Sequence, residues 1–454
     1  MNSVLIFLAL VLCAGISVFV PMFGASAVIL CAVLACLAGF VISRVKEDAQ
    51  FLLRVFVGGL LVRVLVGTLI FSLNLQEFFG GDAFTYDFFG NSLLKYWQGQ
   101  KYYWVYVEQF VGTGTGGGGG WGMIYLVAGI YRLVGQNLLA VQLFNAVLGA
   151  ATAPLIYLCA RHIFENQRVA RAASLLVAFF PSLVLWSAQG LKDGPIVFLL
   201  SFSMYATLKL GERLSLKYIL LLGGALFCLL SLRFYIFYMV VAAIAGAFVI
   251  GMRDVSSRSF VRQFVVIIVL GLSLTYLGVT RYASSQFENY GNLSAVQRSR
   301  ADLATSNSGF GRDVDVSTTS GALAAIPVGF VYLMFAPFPW QLASLRQSIT
   351  LPEMLVWWIS FPMLVLGFWF SLKFRLRRIS PILIFTTMLT LAYSVFQGNV
   401  GTAYRQRAQI VVFYFIFTAV GFVLMREKRE DRKRQQLAAR QARPVLVRRS
   451  SPNV

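Results

Sequence analysis

The chain is expected to fold as an all-α bundle of 12 to 14 helices that crosses a bilayer repeatedly. Three observations lead there. Of its 454 residues, 58% are hydrophobic and only 13% charged, where a soluble domain carries about a quarter charged residues. The mean hydropathy is +0.74. The apolar residues also come in runs of about 20, the length that covers a hydrocarbon core. A water-soluble fold is thereby excluded.

In chain order, the first run, Asn2 to Val20, has no basic n-region and no small-residue cleavage site. It is expected to be a first span rather than a removed signal. Further spans follow at 23–43, 51–73, 137–160, 172–188, 194–210, 217–233, 234–252, 262–280, 354–372, 379–397 and 408–425. Two weaker apolar segments lie at 121–135 and 321–338.

The net charge is +21, and its location gives the orientation. Basic residues cluster in short loops at Arg44, Lys46 and Arg54; at Arg161, Arg168 and Arg171; at Lys209, Arg213 and Lys217; at Arg253, Arg258 and Arg262; and at Lys373, Arg375, Arg377 and Arg378. From Arg426 onward ten basic residues face three acidic ones. Retention of Lys and Arg on the cytoplasmic side explains this pattern, so a membrane and no nucleic acid is the partner read from the charge. The chain divides into a membrane bundle, 1–425, and a basic cytoplasmic tail, 426–454, suited to anionic headgroups.

Parity constrains the weaker segments. Residues 51–73 lead outward and the loop 161–171 belongs inside, so an odd number of crossings separates them. Segment 137–160 supplies one, and a second at 121–135 breaks the count. The same argument applies to 321–338. The two segments are therefore not both expected to span as ordinary helices; a re-entrant or interfacial course is open to them, which is tolerated where protein covers the backbone. Two long loops then fall outside, 74–120 and 281–320.

Cys13, Cys31, Cys36, Cys159 and Cys228 all lie in apolar runs without a C-x-x-C pair and read as small hydrophobes. His162 is the only histidine, so neither a histidine-built metal site nor a Ser-His-Asp triad is expected. The run Gly116–Gly120 lacks the Lys-Ser/Thr of a phosphate-binding P-loop and reads as a hinge.

The most informative string is Phe78-Phe79-Gly80-Gly81-Asp82-Ala83-Phe84-Thr85-Tyr86-Asp87-Phe88-Phe89-Gly90. It places two carboxylates at the end of a span among aromatics, followed by an amphipathic interfacial helix over 84–98. A carboxylate held at such a boundary is suited to general-base work. Asp82 is equally suited to capping that helix, and both readings stay open on spacing alone.

An acidic residue in the first outer loop, then a small residue and a nearby Tyr, resembles the active-site loop of GT-C glycosyltransferases. The narrower resemblance is to bacterial relatives of the dolichyl-phosphate-mannose protein mannosyltransferases. It continues through Leu138–Ala150, Ala160-Arg161-His162-Ile163-Phe164 and Ala178-Phe179-Phe180-Pro181-Ser182-Leu183, covering about residues 78–210. One departure is Gly112-Thr113-Gly114-Thr115 and the glycine run, where the family often has a basic or His-Pro-Pro stretch. The resemblance implies a GT-C-like bundle in a bacterial inner membrane with an active site facing the periplasm or exterior. It implies a polyprenyl-phosphate-linked sugar as donor, a lipid, glycan or protein acceptor in envelope or exopolysaccharide assembly, and Asp82 as catalytic base. No cofactor is read from the residues. A divalent cation is left open, with Asp82, Asp87 and Asp193 as available carboxylates.

A lipid-phosphate leaving group needs positive charge at headgroup level. Basic residues expected outside are exceptions to the inside rule: Lys192 beside Asp193, Arg233 with Tyr235 beside it, and Arg405 and Arg407 at the start of the last span. With Tyr86 and Asp87 these are the candidate substrate-binding residues. The turn Lys192-Asp193 reads equally as a self-neutralising pair. The prolines of Ala336-Pro337-Phe338-Pro339-Trp340 end a helix, as a re-entrant turn or an interfacial kink. Two other functions stay open: an O-antigen-type polymerase using Arg298, Arg300 and Arg312 of the second loop, and a flippase or transporter, for which Arg63 is the main charge inside a span.

Overall fold

The computed structural model describes residues 3–111, 120–251, 292–342 and 344–441, with isolated positions between 268 and 276. The span expected at 262–280, the basic loop at 253–262, the glycines at 116–119, the first part of the loop 281–320 and the tail beyond Gln441 fall largely or wholly outside the described residues.

The described elements are helical. They are α1 (Ser3–Phe19), α2 (Gly24–Ser43), α3 (Ala49–Ser72), α4 (Gln76–Phe79), α5 (Asp82–Trp97), α6 (Trp104–Val111), α7 (Trp121–Val134), α8 (Leu138–Phe164), α9 (Gln167–Phe179), α10 (Pro181–Ser187), α11 (Asp193–Glu212), α12 (Leu216–Leu232), α13 (Phe234–Gly251), α14 (Leu293–Ala304), α15 (Thr319–Phe335), α16 (Leu345–Phe396) and α17 (Val400–Gln441). Six are long and apolar enough to cross a membrane, seven if the bent pair α9–α10 is one span, and five more are shorter apolar helices. This is the polytopic all-helical bundle expected.

Helix α16 holds two crossings. A straight helix would put Trp357 and Phe385 about 42 Å apart. Yet Trp357 meets Phe415, at 6.0 Å between ring centroids, and Phe385 meets Phe413, at 5.7 Å. The chain turns back at Arg375, whose φ of −135° breaks the helix, within the basic cluster. The first half of α16 crosses α17 at glycines: an added Cβ at Gly421 would overlap the Met363 carbonyl, and one at Gly367 the Phe417 carbonyl. Small residues allow such backbone approach in membranes. Gly421→Ala is accordingly expected to cost about 1–3 kcal/mol through overpacking, seen as a lowered unfolding midpoint in detergent.

Ion pairs identify one end of the bundle as the basic end. Arg161 meets Glu47 at 2.8 Å, Arg171 meets Asp48 at 2.6 Å, Arg378 meets Glu165 at 2.6 Å, and Arg168 meets Glu430 at 3.1 Å. Hydrogen bonding to Arg171 holds the Asp48 carboxyl down at about 2. The loops 44–54, 161–171 and 373–378 and the start of the basic tail thus share one face. Helix α17 continues past Arg426 without a break.

The two weaker segments start and finish at the opposite end. Gly120 N–H bonds the Ser231 carbonyl at 3.1 Å, and Asn137 bonds the Phe23 carbonyl at 2.8 Å, so α7 lies along α5. The segment before α15 is tied to the start of α17 through Ser308–Asn399, at 3.0 Å. The segment after it reaches Glu77 through Arg346, at 3.2 Å.

Helix α9 bends by 54° into α10 because Pro181 has no N–H to give. Carbonyls left open within a bilayer need another donor. Arg63, 1% exposed, supplies it: Nη1 donates to Ala178 O at 2.7 Å and to Gly59 O at 3.0 Å, Nη2 to Val177 O at 3.4 Å, and Nε to Ser187 Oγ at 2.8 Å. The main charge inside a span is a brace for a broken helix.

Candidate active site

At the end opposite the basic loops, four chain segments bring their polar side chains together. Helix α5 starts at Asp82 after Gly80, whose φ of +145° favours glycine. The N-cap position is Gly81 and no side chain caps α5. The Asp82 carboxylate is therefore directed elsewhere: Oδ2 accepts from Arg405 Nη1 at 2.7 Å, and the side chain is 54% exposed. The capping reading of Asp82 is excluded. Tyr86, one turn on and thus on the same helix face, is buried. Burial first, and then the Asp82 carboxylate, push its phenol up, leaving a neutral hydrogen-bonding group.

The second segment is the turn before α11. Asn145 Nδ2 donates to the carbonyls of Gln189 and Leu191, both at 2.7 Å, which fixes the turn that presents Lys192 and Asp193. Asp193 opens α11, where the helix dipole favours an anion, and it is 1% exposed. Burial, followed by the Arg233 guanidinium nearby, lowers the Lys192 ammonium to about 7.

Arg233 sits in the extended link between α12 and α13, its Nη2 3.7 Å from Asp193 Oδ1 and its guanidinium 5.8 Å from the Tyr235 ring centre. Arg405 projects from the first turns of α17, which Asn399 caps by accepting from Gly401 and Thr402 N–H at 2.7 and 3.1 Å. Arg405 Nε donates to Asp193 Oδ2 at 2.6 Å. One guanidinium therefore bridges the exposed and the buried carboxylate. Asp193 thus pairs with arginines from two other segments.

These residues line a cavity of about 340 Å³, bounded by Asp82, Thr85, Tyr86, Lys192, Arg233, Thr402, Arg405 and Gln406. Thr85, Thr402 and Gln406 are lining residues that sequence reasoning missed. A second cavity of about 560 Å³ adjoins it and shares Thr402 and Arg405.

Several candidates lie elsewhere. Asp87 is outside the cavity wall; it accepts from Tyr131 and from Gln136 Nε2, the latter at 3.3 Å, fastening α5 to α7. Arg407 is a correction. It is 2% exposed and donates to the carbonyls of Met334 and Ala336, both at 3.1 Å, so it secures the end of α15 and no phosphate clamp forms with Arg405. Tyr235 reaches the site only through Arg233, its hydroxyl 3.3 Å from Tyr393. In the second loop, Arg300 is 1% exposed and donates to the carbonyls of Val395 and Gln397 at 2.9 and 2.5 Å. Arg312 bonds Ala304 O at 3.0 Å. Two of the three polymerase-type arginines are thus committed to backbone; Arg298 is exposed.

Among the described residues no group of three or more His, Cys, Asp and Glu side chains comes together. Asp82 and Asp193 are the carboxylates that face one another, and a guanidinium stands between them. The set does not fit a divalent ion.

Residues 121–277 match the family model described as dolichyl-phosphate-mannose-protein mannosyltransferase, roughly a third of the chain in a stretch that begins after the Asp82 loop. The fold is similar to that of the Archaeoglobus fulgidus oligosaccharyltransferase in the apo form, with a TM-score of 0.48 and 16% identity over 87% of this chain and 53% of that one. It is also similar to the archaeal oligosaccharyltransferase AglB of the same organism in complex with an inhibitory peptide and a dolichol-phosphate, with a TM-score of 0.42 and 14% identity over 70% and 44%. This chain spans about half the length of those structures. No curated protein sequence matches it.

Proposed function

We propose that this chain, related through residues 121–277 to the dolichyl-phosphate-mannose protein mannosyltransferases and GT-C-like in its bundle, is a membrane glycosyltransferase. It takes a sugar from a polyprenyl-phosphate carrier and passes it to a lipid, glycan or protein acceptor. The supporting observation is the cavity in which an exposed carboxylate, Asp82, meets Lys192, Arg233 and Arg405. The rule that cytoplasmic loops are basic supports reading that cavity as facing outward, and the site is proposed to lie on the periplasmic or outer face of a bacterial inner membrane, in envelope or exopolysaccharide assembly.

The chemistry follows from charge. The acceptor hydroxyl oxygen attacks the sugar C1 and its proton passes to Asp82. The bond between C1 and the phosphate oxygen breaks, and its electron pair stays on the phosphate. The donor phosphodiester carries one negative charge and the departing monoester approaches two. Two arginines and Lys192 outnumber the two carboxylates, so the cavity favours the leaving group more than the ground state. Stabilisation that grows along the reaction is what raises kcat. Asp193 is a positioning residue that aims Arg405 and Arg233. The arriving phosphate competes with Asp82 for Arg405 Nη1, which frees the base once the donor is bound.

The direct test incubates membranes containing the chain with polyprenyl-phosphate carriers bearing radiolabelled mannose, glucose or galactose. Asp82-dependent loss of label from the lipid is expected. Label that stays on every carrier sinks the reading.

Lys192 adds a pH dependence. With its ammonium titrating at about 7, the charged form that attracts phosphate is lost as pH rises through that value. Donor KM is expected to climb by up to about tenfold per pH unit above 7. In Lys192→Arg, always charged in this range, the climb disappears. A KM flat from pH 6 to 9 in the unaltered chain counters this role.

A further inference from the structure

We infer that the acceptor is a saccharide, held in the 560 Å³ cavity that adjoins the Asp82 site. This rests on the glycosyltransferase reading and deepens it by naming the acceptor class. The volume is that of a small-molecule site. Sharing Thr402 and Arg405 with the first cavity, it opens within reach of the carboxylate that would take the acceptor proton.

Besides aliphatic side chains and the cations Arg346 and Arg405, the lining carries two surfaces suited to a sugar. One wall is aromatic: Phe78 and Phe79 stand edge to face with centroids 4.9 Å apart, and Trp186 also lines the cavity. The other is a loop of neutral polar side chains, Ser306, Asn307 and Ser308. That loop is stitched to the start of α17. Asn399 bonds Ser306, Ser308 Oγ donates to Asn399 Oδ1 at 3.0 Å, Val400 N–H donates to Ser308 O at 2.9 Å and Phe310 N–H to Gly398 O at 2.7 Å. Asn307 stands exposed between the two anchored serines.

A pyranose needs both surfaces. Its C–H face packs on aromatic rings, which bury large apolar area. Its hydroxyls each donate and accept, as do hydroxyl and carboxamide side chains. No carboxylate lines the cavity, so a cationic ligand has no partner there. Among the described residues the one bridge of strand type, Gly309 to Asn399, is already internal, so the described lining offers no strand edge for an extended peptide. A polyprenyl tail would pack on the aliphatic part of the lining and make no use of the exposed Asn307 carboxamide.

The test is saturation-transfer NMR on the detergent-solubilised full chain, with maltotetraose, cellotetraose, chitotetraose and tetragalacturonate as probes, and farnesyl phosphate and a neutral tetrapeptide as competitors. At least one saccharide is expected to receive saturation through its ring protons. Phe78→Ala and Asn307→Ala are each expected to weaken that binding about tenfold, a change of about 1.4 kcal/mol. Asn307 lies on an exposed loop, so its variant separates lost contact from lost fold. Asp82→Asn is expected to keep saccharide binding while losing transfer. If no saccharide binds, if both cavity variants bind normally, or if only farnesyl phosphate or the peptide occupies the site, the inference is overturned whether or not sugar transfer occurs. Saccharide binding without any carrier cleavage would leave this site standing and sink the glycosyltransferase reading instead.

Discussion

Asp82→Asn is expected to lower transfer by about 10²–10⁴-fold in kcat, the range general-base catalysis supplies, with donor KM nearly unchanged. The substitution keeps the side chain's size and leaves an amide oxygen to accept from Arg405, now 2.7 Å from Asp82 Oδ2. It removes only the ability to take a proton. No helix cap is lost, because Gly81 holds that position and no side chain caps α5. Expression and unfolding midpoint should therefore match the parent, and the loss should appear wholly in turnover of a polyprenyl-phosphate sugar. Asp87→Asn is the control. It touches the α5–α7 joint through Tyr131 and Gln136 and is expected to retain transfer. Equal turnover in Asp82→Asn and the parent would remove Asp82 from the chemistry.

The second large effect is on stability. Asp193 is 1% exposed and is held by Arg405 at 2.6 Å and Arg233 at 3.7 Å. Arg405→Ala leaves a buried carboxylate with only the longer contact. Removing one member of a buried pair costs about 3–5 kcal/mol, mostly from the charge left behind. A marked drop in unfolding midpoint is expected, together with lost transfer. Arg405→Ala combined with Asp193→Asn removes the stranded charge, so it should recover much of the stability and none of the activity. Coupling of this sign is what a double-mutant cycle isolates. A double variant no more stable than Arg405→Ala would mean that the pair is not what holds these helices.

The sequence carried most of the bundle, because a membrane span is a long apolar run and basic loops mark one side. The turn at Arg375 and the shared end for the loops 44–54 and 161–171 follow from those signals. The bend between α9 and α10 was less legible, since 172–188 is one apolar run and only Pro181 hints at the break. The site was half legible. Lys192, Arg233 and Arg405 stood out as basic residues where few are expected. The errors are angular. Asp82 and Asp87 lie about 140° apart around a helix, and Arg405 and Arg407 about 160° apart, so neighbours in sequence face different surroundings. Asn145, Thr402 and Gln406 gave no sequence signal, since a polar residue inside an apolar run does not reveal which turn it will support.

The Arg63 brace also bears on where the proton goes. A helix broken inside a bilayer exposes carbonyls along which water can thread, and such a thread conducts protons. Here those carbonyls are taken by the buried Arg63, whose hydrogen bonds go to the broken helix and its neighbours, and a fixed positive charge turns back protons. On the proposed mechanism, the proton taken by Asp82 is then expected to return to the side from which the acceptor came. Turnover on this account moves no charge across the bilayer, and its rate should be indifferent to the membrane potential.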